Sequence, residues 1–322
     1  MKNIPMKVLA NDGVSQSGID ALTSAGFEVI TTKVAQEQLV NYINQNNISV
    51  LLVRSATTAR KALIDACPSL KVIGRGGVGM DNIDVTYARE KGLSVINTPA
   101  ASSSSVAELV FAHLFGGVRY LFDANRNMPL DGDTRFKELK KNYAKGSELR
   151  GKTIGIIGFG RIGREVAKIA LGCGMKVIAS DNYVDTADIT LDFFDGQKVT
   201  IEVKTKPIDD LIQQSDFITL HVPAQKQYVI GRAQIEKMKD GAAIINAARG
   251  GVIDEVALIE ALDSGKLSFA GLDTFEKEPT PEVKVLMSHK VSLSPHIGAA
   301  TNEAQDRIGT ELATQIIELF EN

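Results

Sequence analysis

The sequence predicts an α/β protein made of two doubly wound parallel-sheet domains. Three observations lead there: two series of short apolar runs alternating with helical patterns, a glycine fingerprint opening the second series, and proline-marked junctions at Thr98-Pro99 and Ser294-Pro295. At those junctions the chain is expected to pass between domains.

In the first series the runs at residues 7–10, 27–30, 50–53 and 71–73 are short and predominantly apolar. Strands buried on both faces of a parallel sheet have that composition, and helices fill the intervals. The second series has strands at 154–157, 176–179, 217–222, 243–247 and 269–273. A last strand at 291–294 leads through Pro295 into a helical pattern over 301–320, expected to return to the first domain. The expected division is therefore 1–98 with 295–322, and 99–294.

The apolar run 154–157 is followed by Gly158, Gly160 and Gly163 in G-x-G-x-x-G spacing, then by helical periodicity from Glu165 to Leu171. The next run ends at Asp181, 18 residues past Gly163. Strand, glycines, helix, strand and acid together describe a dinucleotide-binding βαβ unit. Gly158 allows the tight turn, Gly160 lets backbone approach a pyrophosphate, and Gly163 lets helix and strand pack closely, with the diphosphate at the helix N-terminus. The Asp181 carboxylate suits a free ribose 2′-hydroxyl and repels a 2′-phosphate, so the expected cofactor is NAD. A solvated strand-end acid is the alternative for this position.

One segment breaks the rhythm. Between 189 and 203 alternating apolar residues flank Asp195-Gly196, a hairpin signal because a type I′ turn needs positive φ at both central positions. An inserted hairpin beside the adenine end of the cofactor site is expected, as decoration or a dimer contact.

At 322 residues the chain has room for two domains with cores of their own, and 44% hydrophobic with 23% charged residues is a soluble globular composition. A net charge of −3 gives no general attraction to nucleic acid or anionic membrane. The most basic stretch, 135–152, is interrupted by acids and reads as a solvated helix or arm. Cys67 and Cys173 lack metal-ligand spacing, so no metal is expected; both read as free buried thiols of a reducing cytosol. The N-terminus has no signal-peptide pattern, and the apolar segment 106–122 carries Glu108, His113 and Arg119, too many interruptions for a bilayer span. A cytoplasmic protein follows as the expectation.

Three further motifs stand behind the fingerprint: Asn246-Ala247-Ala248-Arg249-Gly250-Gly251 with Val252-Ile253-Asp254, Gly271-Leu272-Asp273-Thr274-Phe275 leading to Glu276-Lys277-Glu278-Pro279, and Ser294-Pro295-His296-Ile297-Gly298-Ala299-Ala300-Thr301. With them the chain resembles the D-isomer-specific 2-hydroxyacid dehydrogenase family over essentially its whole length. The resemblance implies a Rossmann NAD-binding domain inserted into a flavodoxin-like substrate, or lid, domain, with Arg249, Glu278 and His296 as the catalytic residues meeting between the domains. Removing hydride from a 2-hydroxy acid requires loss of the hydroxyl proton, for which His296 is the candidate base. Glu278 would pair with its far nitrogen, and Arg249 would bridge the substrate carboxylate and developing carbonyl. The cofactor residues implied are Val106, Gly158, Gly160, Arg161, Ile162, Gly163, Asp181, Val222, Pro223, Ala247, Ala248, Asp273 and Gly298.

In the first domain, residues 74–84 (Gly-Arg-Gly-Gly-Val-Gly-Met-Asp-Asn-Ile-Asp) match the family's substrate loop, whose backbone N–H groups bind a carboxylate. Gly77 and Val78 are its expected contacts, and Asp84 is expected to cap the helix that follows it. With Arg75 and the upstream Arg54-Ser55, the pattern resembles the D-3-phosphoglycerate dehydrogenase branch, two guanidiniums suiting a distal phosphate. The resemblance therefore implies NAD-dependent oxidation of 3-phospho-D-glycerate, the entry to serine synthesis. Glyoxylate, hydroxypyruvate or lactate-like acids stand as alternative substrates, and an NAD-sensing binding protein as the alternative of another class. A homodimer is implied, with residues 118–145 embracing the partner and Lys141 reaching its phosphate site, in competition with Arg135, Lys137 and Lys140. The chain ends just after the last helix, so the regulatory domain of longer phosphoglycerate dehydrogenases is expected to be absent. His221 is expected to touch the cofactor through backbone or to pack in the core, and His113 and His289 read as structural.

Overall fold

The computed structural model describes residues 5–321; Met1–Ile4 and Asn322, which the expected domain spans include, lie outside the described residues. The chain divides into two compact units, one running to Ser103 and resuming at Ala299, the other comprising Ser104–Gly298.

The first unit begins β1 (Lys7–Ala10), α1 (Gln16–Ser24), β2 (Glu28–Ile30), α2 (Leu39–Asn46) and β3 (Ile48–Val53). It continues with α3 (Lys61–Ala66), β4 (Val72–Arg75), α4 (Val85–Glu90) and β5 (Ser94–Asn97). All pairings are parallel, in the order β2-β1-β3-β4-β5, the flavodoxin-like arrangement. Central β3 is buried at all six positions, because helices cover both of its faces. Strand β5 lacked a sequence signal: only Val95 of its four residues is buried, so its apolar run is too short to stand out. Asp84 sits where the N-cap of α4 belongs, yet its carboxylate makes no bond there. It accepts instead from Lys61 N at 2.9 Å and Arg60 Nη1 at 3.1 Å, capping α3 across the loop.

The second unit opens with α5 (Ser103–Val118), α6 (Leu121–Asp131) and α7 (Phe136–Asn142), then β6 (Thr153–Ile157), α8 (Arg161–Gly172) and β7 (Lys176–Ser180). The hairpin β8 (Thr186–Asp192) and β9 (Lys198–Lys204) follows, then α9 (Ile208–Gln214), β10 (Phe217–Leu220), α10 (Arg232–Lys237) and β11 (Ala242–Asn246). The unit closes with α11 (Glu255–Ser264), β12 (Leu267–Leu272), α12 (Val283–Leu286) and β13 (Val291–Leu293). Its six-stranded parallel sheet has the order β13-β12-β11-β10-β6-β7. Strand order reverses at β6, and a doubly wound sheet binds its ligand at such a switch point. Apolar cores lie on both faces, one against α5 and α8, the other against α9, α10 and α11.

The hairpin is antiparallel and pairs Thr190 with Thr200, but its connection is not the expected two-residue turn. Residues 193–197 form a longer loop closed by Phe193 N to Gln197 O at 2.9 Å, with only Gly196 in the left-handed region (φ 84°). Asp195 instead accepts from Gln197 N. After β9, Thr205 bridges in parallel to Ala179 of β7, so the hairpin exit extends the sheet edge where a third strand of the fold would lie.

Helix α13 (Asn302–Glu321) belongs to the first unit. It packs on α1 through facing glycines: a Cβ on Gly18 would lie 2.8 Å from Gly309 O. The division after Gly298 leaves His296 in the second unit, whereas the expected boundary put residues 295–298 with the first. The cause is a pair of tertiary hydrogen bonds: Asp273 at the end of β12 binds the N–H groups of both Ile297 and Gly298.

Candidate active site

At the carboxyl end of β6, Gly158 takes φ 92° and sits so close to β10 that a Cβ would lie 2.6 Å from His221 O. Gly163 packs helix on strand, its hypothetical Cβ falling 2.2 Å from Gly158 O. Gly160 is different. Its φ is −75° and a Cβ there would meet nothing within 4 Å, so nothing inside the chain asks for glycine. A ligand approaching the backbone at the start of α8 would. Phe159 between them is fully buried and anchors the turn.

Asp181 follows β7. Its Oδ2 accepts from Phe159 N at 2.6 Å and its Oδ1 from Tyr183 N at 2.8 Å. This fixes the carboxylate beside the glycine turn, and a carboxylate keeps lone pairs for two ribose hydroxyls. Arg161 and Ile162 open α8, and Val222 lies against Gly158. Ala247 and Ala248 follow β11 and are buried. Val106, Asp273 and Gly298 come together near the ends of β12 and β13, within 3.3 Å of a Cβ built on Gly298. These residues fit a dinucleotide whose diphosphate lies at the amino end of α8 and whose adenosine ribose meets Asp181.

His296 follows β13 and adopts φ 54°, a left-handed conformation costing roughly 1–3 kcal/mol for a residue with a side chain. Its Nδ1 lies 2.8 Å from Glu278 Oε2, while Glu278 Oε1 accepts from Phe275 N at 3.0 Å. With Nδ1 held by a carboxylate, Nε2 is the nitrogen left to give or take a proton. Arg249 sits on the loop after β11. Asn246 closes that loop, donating from Nδ2 to Arg249 O at 2.8 Å and accepting from Ala248 N at 3.0 Å. Arg249 Nη1 donates to Ala248 O at 2.6 Å.

The arginine and glutamate loops are locked together. A Cβ on Gly250 would lie 1.8 Å from Phe275 O, so only glycine permits that contact. Glu255 N donates to Glu276 Oε1 at 3.0 Å, and Glu276 N donates back to Glu255 Oε1 at 2.8 Å. Burial pushes the Glu255 carboxyl above its ordinary range, which favours its neutral form.

In the first unit, Arg54 follows β3 and Arg75 ends β4, with Val53 paired to Arg75. The two arginines thus occupy the carboxyl ends of adjacent strands. Asp12 fixes the 54–57 loop by accepting from Arg54 N at 2.6 Å and Thr57 N at 3.0 Å. Asn82 donates to Arg54 O and Thr57 O. Sequence reading missed both residues, since a loop acid and amide carry no spacing signal. Gly77 has φ 143°, and a Cβ there would lie 1.7 Å from Arg75 Nη1. The guanidinium therefore folds over the Gly76–Gly77 loop, while Ser55 and Val78 are exposed beside it.

Lys141 is exposed in the last turn of α7. Of its competitors, Arg135 is committed to Asp131 at 2.7 Å and Glu138 at 2.5 Å; Lys137 and Lys140 share the same short helix. The His221 side chain is half-buried, with Nδ1 shut off from solvent and Nε2 3.1 Å from Thr219 Oγ1, and this desolvation lowers its pKa to about 3. Among the described residues no single helix is long and apolar enough to cross a membrane.

Residues 111–298 match the family model described as D-isomer specific 2-hydroxyacid dehydrogenase, NAD binding domain. A hydroxypyruvate reductase of Thermotoga maritima is 42% identical over 96% of this chain and 97% of its own length. A D-3-phosphoglycerate dehydrogenase of Methanocaldococcus jannaschii is 41% identical over 97% of this chain, which spans 57% of that relative. Among solved structures, a glyoxylate reductase from Paecilomyes thermophila superposes with TM-score 0.81 at 30% identity, covering 98% of this chain and 94% of that one.

Proposed function

Because the chain belongs to the D-isomer-specific 2-hydroxyacid dehydrogenase family and is an NAD-dependent oxidoreductase of D-2-hydroxy acids, we propose that its substrate pair is hydroxypyruvate and D-glycerate. The observation carrying the chemistry is the 2.8 Å bond between His296 Nδ1 and Glu278 Oε2. When bound, the reduced cofactor supplies the hydride that adds to C2 of the keto acid, and the oxidised form takes it back in reverse. His296 gives the Nε2 proton to the C2 oxygen in reduction and removes it in oxidation. Glu278 stabilises the imidazolium and orients the ring. Arg249 binds the substrate carboxylate and polarises the carbonyl. The backbone N–H groups around Gly77 and Val78 receive the carboxylate.

An unphosphorylated acid is supported by the position of Arg75. Its guanidinium covers Gly77 and donates to Gly76 O at 3.4 Å, so it serves the carboxylate loop and leaves Arg54 for the group on C3. The near full-length similarity to a hydroxypyruvate reductase points the same way. The second reading is 3-phospho-D-glycerate oxidation in serine synthesis, with Arg54, Arg75 and Lys141 around the phosphate. It is favoured by the two arginines at neighbouring strand ends and by the 41% identity to a phosphoglycerate dehydrogenase. Steady-state rates with NADH over hydroxypyruvate, glyoxylate, pyruvate and 3-phosphooxypyruvate decide between them. The proposal expects kcat/KM for hydroxypyruvate to exceed that for the phosphorylated acid by at least about tenfold. The reverse order, with Arg54→Ala harming only the phosphorylated substrate, would establish the second reading.

A homodimer is part of the proposal, assembled through the segment from α5 to α7. Phe115, Leu121, Met128, Leu130 and Phe136 expose large apolar side chains there, and a subunit contact would remove them from water. Light scattering on the purified protein is expected to give twice the chain mass of 34.6 kDa.

A further inference from the structure

We propose that His113, a helix residue outside the motif set, is a positioning residue for His296, acting through Ser294 and Asp273. The inference deepens the dehydrogenase reading and rests on it.

His113 lies on α5 and is 5% exposed. Its Nδ1 is 2.8 Å from Ser292 Oγ and its Nε2 3.0 Å from Ser294 Oγ. Ser294 Oγ is in turn 2.6 Å from Asp273 Oδ1. A carboxylate only accepts, so the Ser294 hydroxyl proton points to Asp273. Ser294 Oγ then accepts from His113, which places that ring's proton on Nε2 and makes Nδ1 the acceptor of the Ser292 hydroxyl. Burial lowers the His113 pKa and keeps the ring neutral, consistent with this single tautomer. Every proton in the chain Ser292, His113, Ser294, Asp273 is thereby oriented one way.

Asp273 is the end of that chain and the anchor of the His296 loop. Besides the serine, it accepts from Ile297 N through Oδ1 and from Gly298 N through Oδ2, each at 2.8 Å. One carboxylate thus holds the chain on both sides of His296, through the Ser294 side-chain hydroxyl before it and the backbone N–H groups of Ile297 and Gly298 after it. Residue 296 is held in the left-handed conformation between those grips. Two glycines make room: a Cβ on Gly271 would lie 2.7 Å from His113 Cβ, and one on Gly298 3.1 Å from Asp273 Oδ2. His113 touches no reacting atom; it fixes the rotamer of the serine that fixes the carboxylate.

The test compares His113→Leu, Ser294→Ala, the double variant and Ser294→Thr with the wild type. Each is assayed with NADH and whichever 2-keto acid the wild type reduces fastest, per NADH-binding site counted by titration. The expected result is a fall in kcat of about tenfold for His113→Leu and Ser294→Ala, the kinetic equivalent of one misplaced hydrogen bond. KM and NADH affinity are expected to stay within about twofold, the double variant to fall no further than the worse single, and Ser294→Thr to restore the rate. Unchanged kcat, losses that multiply in the double variant, or losses confined to the count of NADH sites would overturn the inference. Should a variant fail to fold, nitrogen NMR of wild-type His113 decides: a neutral ring protonated at Nε2 supports the chain, and a proton on Nδ1 or a charged ring refutes it. A wild type inactive on every 2-keto acid defeats the dehydrogenase reading instead, and the NMR result still judges the chain.

Discussion

Gly160 and Gly163 stand three residues apart and do different work. At Gly163 a methyl group meets the Gly158 carbonyl at 2.2 Å, whereas at Gly160 it meets nothing. Gly163→Ala is therefore expected to destabilise the fold by about 1–3 kcal/mol, read from urea unfolding. Gly160→Ala is expected to leave the midpoint nearly unchanged and to weaken NADH binding, read by fluorescence titration. His221 bears on pH. Its folded pKa, held at about 3 by desolvation, lies below the unfolded value near 6.5, so the unfolded state binds the extra proton first. Its contribution to stability is complete above about pH 6.5 and is lost as pH falls toward 3. His221→Asn is expected to show a flatter decline in unfolding free energy between pH 7 and pH 4 than the wild type; equal slopes would refute a neutral desolvated ring. The motifs marked Gly158, Gly160, Gly163, Asp181 and the Arg249, Glu278, His296 set as candidates, because each proposed role needs a residue type at a fixed spacing. Asp12, Asn82 and His113 were not legible, since each acts through a partner more than twenty positions away.

At the scale of elements, the parallel strands were readable because burial on both faces leaves a continuous apolar run, as in β3. Strand β5 was not, its outer positions being polar edge residues. The hairpin was readable from alternation, while its turn was not, because Asp-Gly also fits a longer loop needing one left-handed residue. Capping of α3 by Asp84 shows the same limit: the acid stands before one helix and serves another. Packing of α1 on α13 depends on two glycines in contact. Gly18→Ala is expected to cost about 1–3 kcal/mol by forcing the helices apart, measured as a lower urea midpoint at unchanged slope; an unchanged midpoint would contradict the close approach.

At the scale of the molecule, the second unit holds the whole fingerprint, Asp181, and the His296, Glu278 and Arg249 loops within Ser104–Gly298. It also has apolar cores on both faces of its own sheet. Residues 104–298 expressed alone are expected to unfold cooperatively and to bind NADH without reducing any keto acid, since the loop at Gly77 proposed to receive the carboxylate belongs to the first unit. Division into two domains was legible from the two strand series. Membership of His296 was not, because the bonds from Asp273 that tie its loop to the second unit are made across the fold. The central claim is that His296, paired with Glu278, moves the proton that accompanies hydride transfer. Its most direct measurement is NADH formation from D- and L-2-hydroxy acids by the wild type and by His296→Asn at equal NADH-site concentration. The account expects the wild type to oxidise only the D isomer and the variant to lose about 10²–10⁴ of kcat; a variant as fast as the wild type, or a wild type that prefers the L isomer, would contradict it.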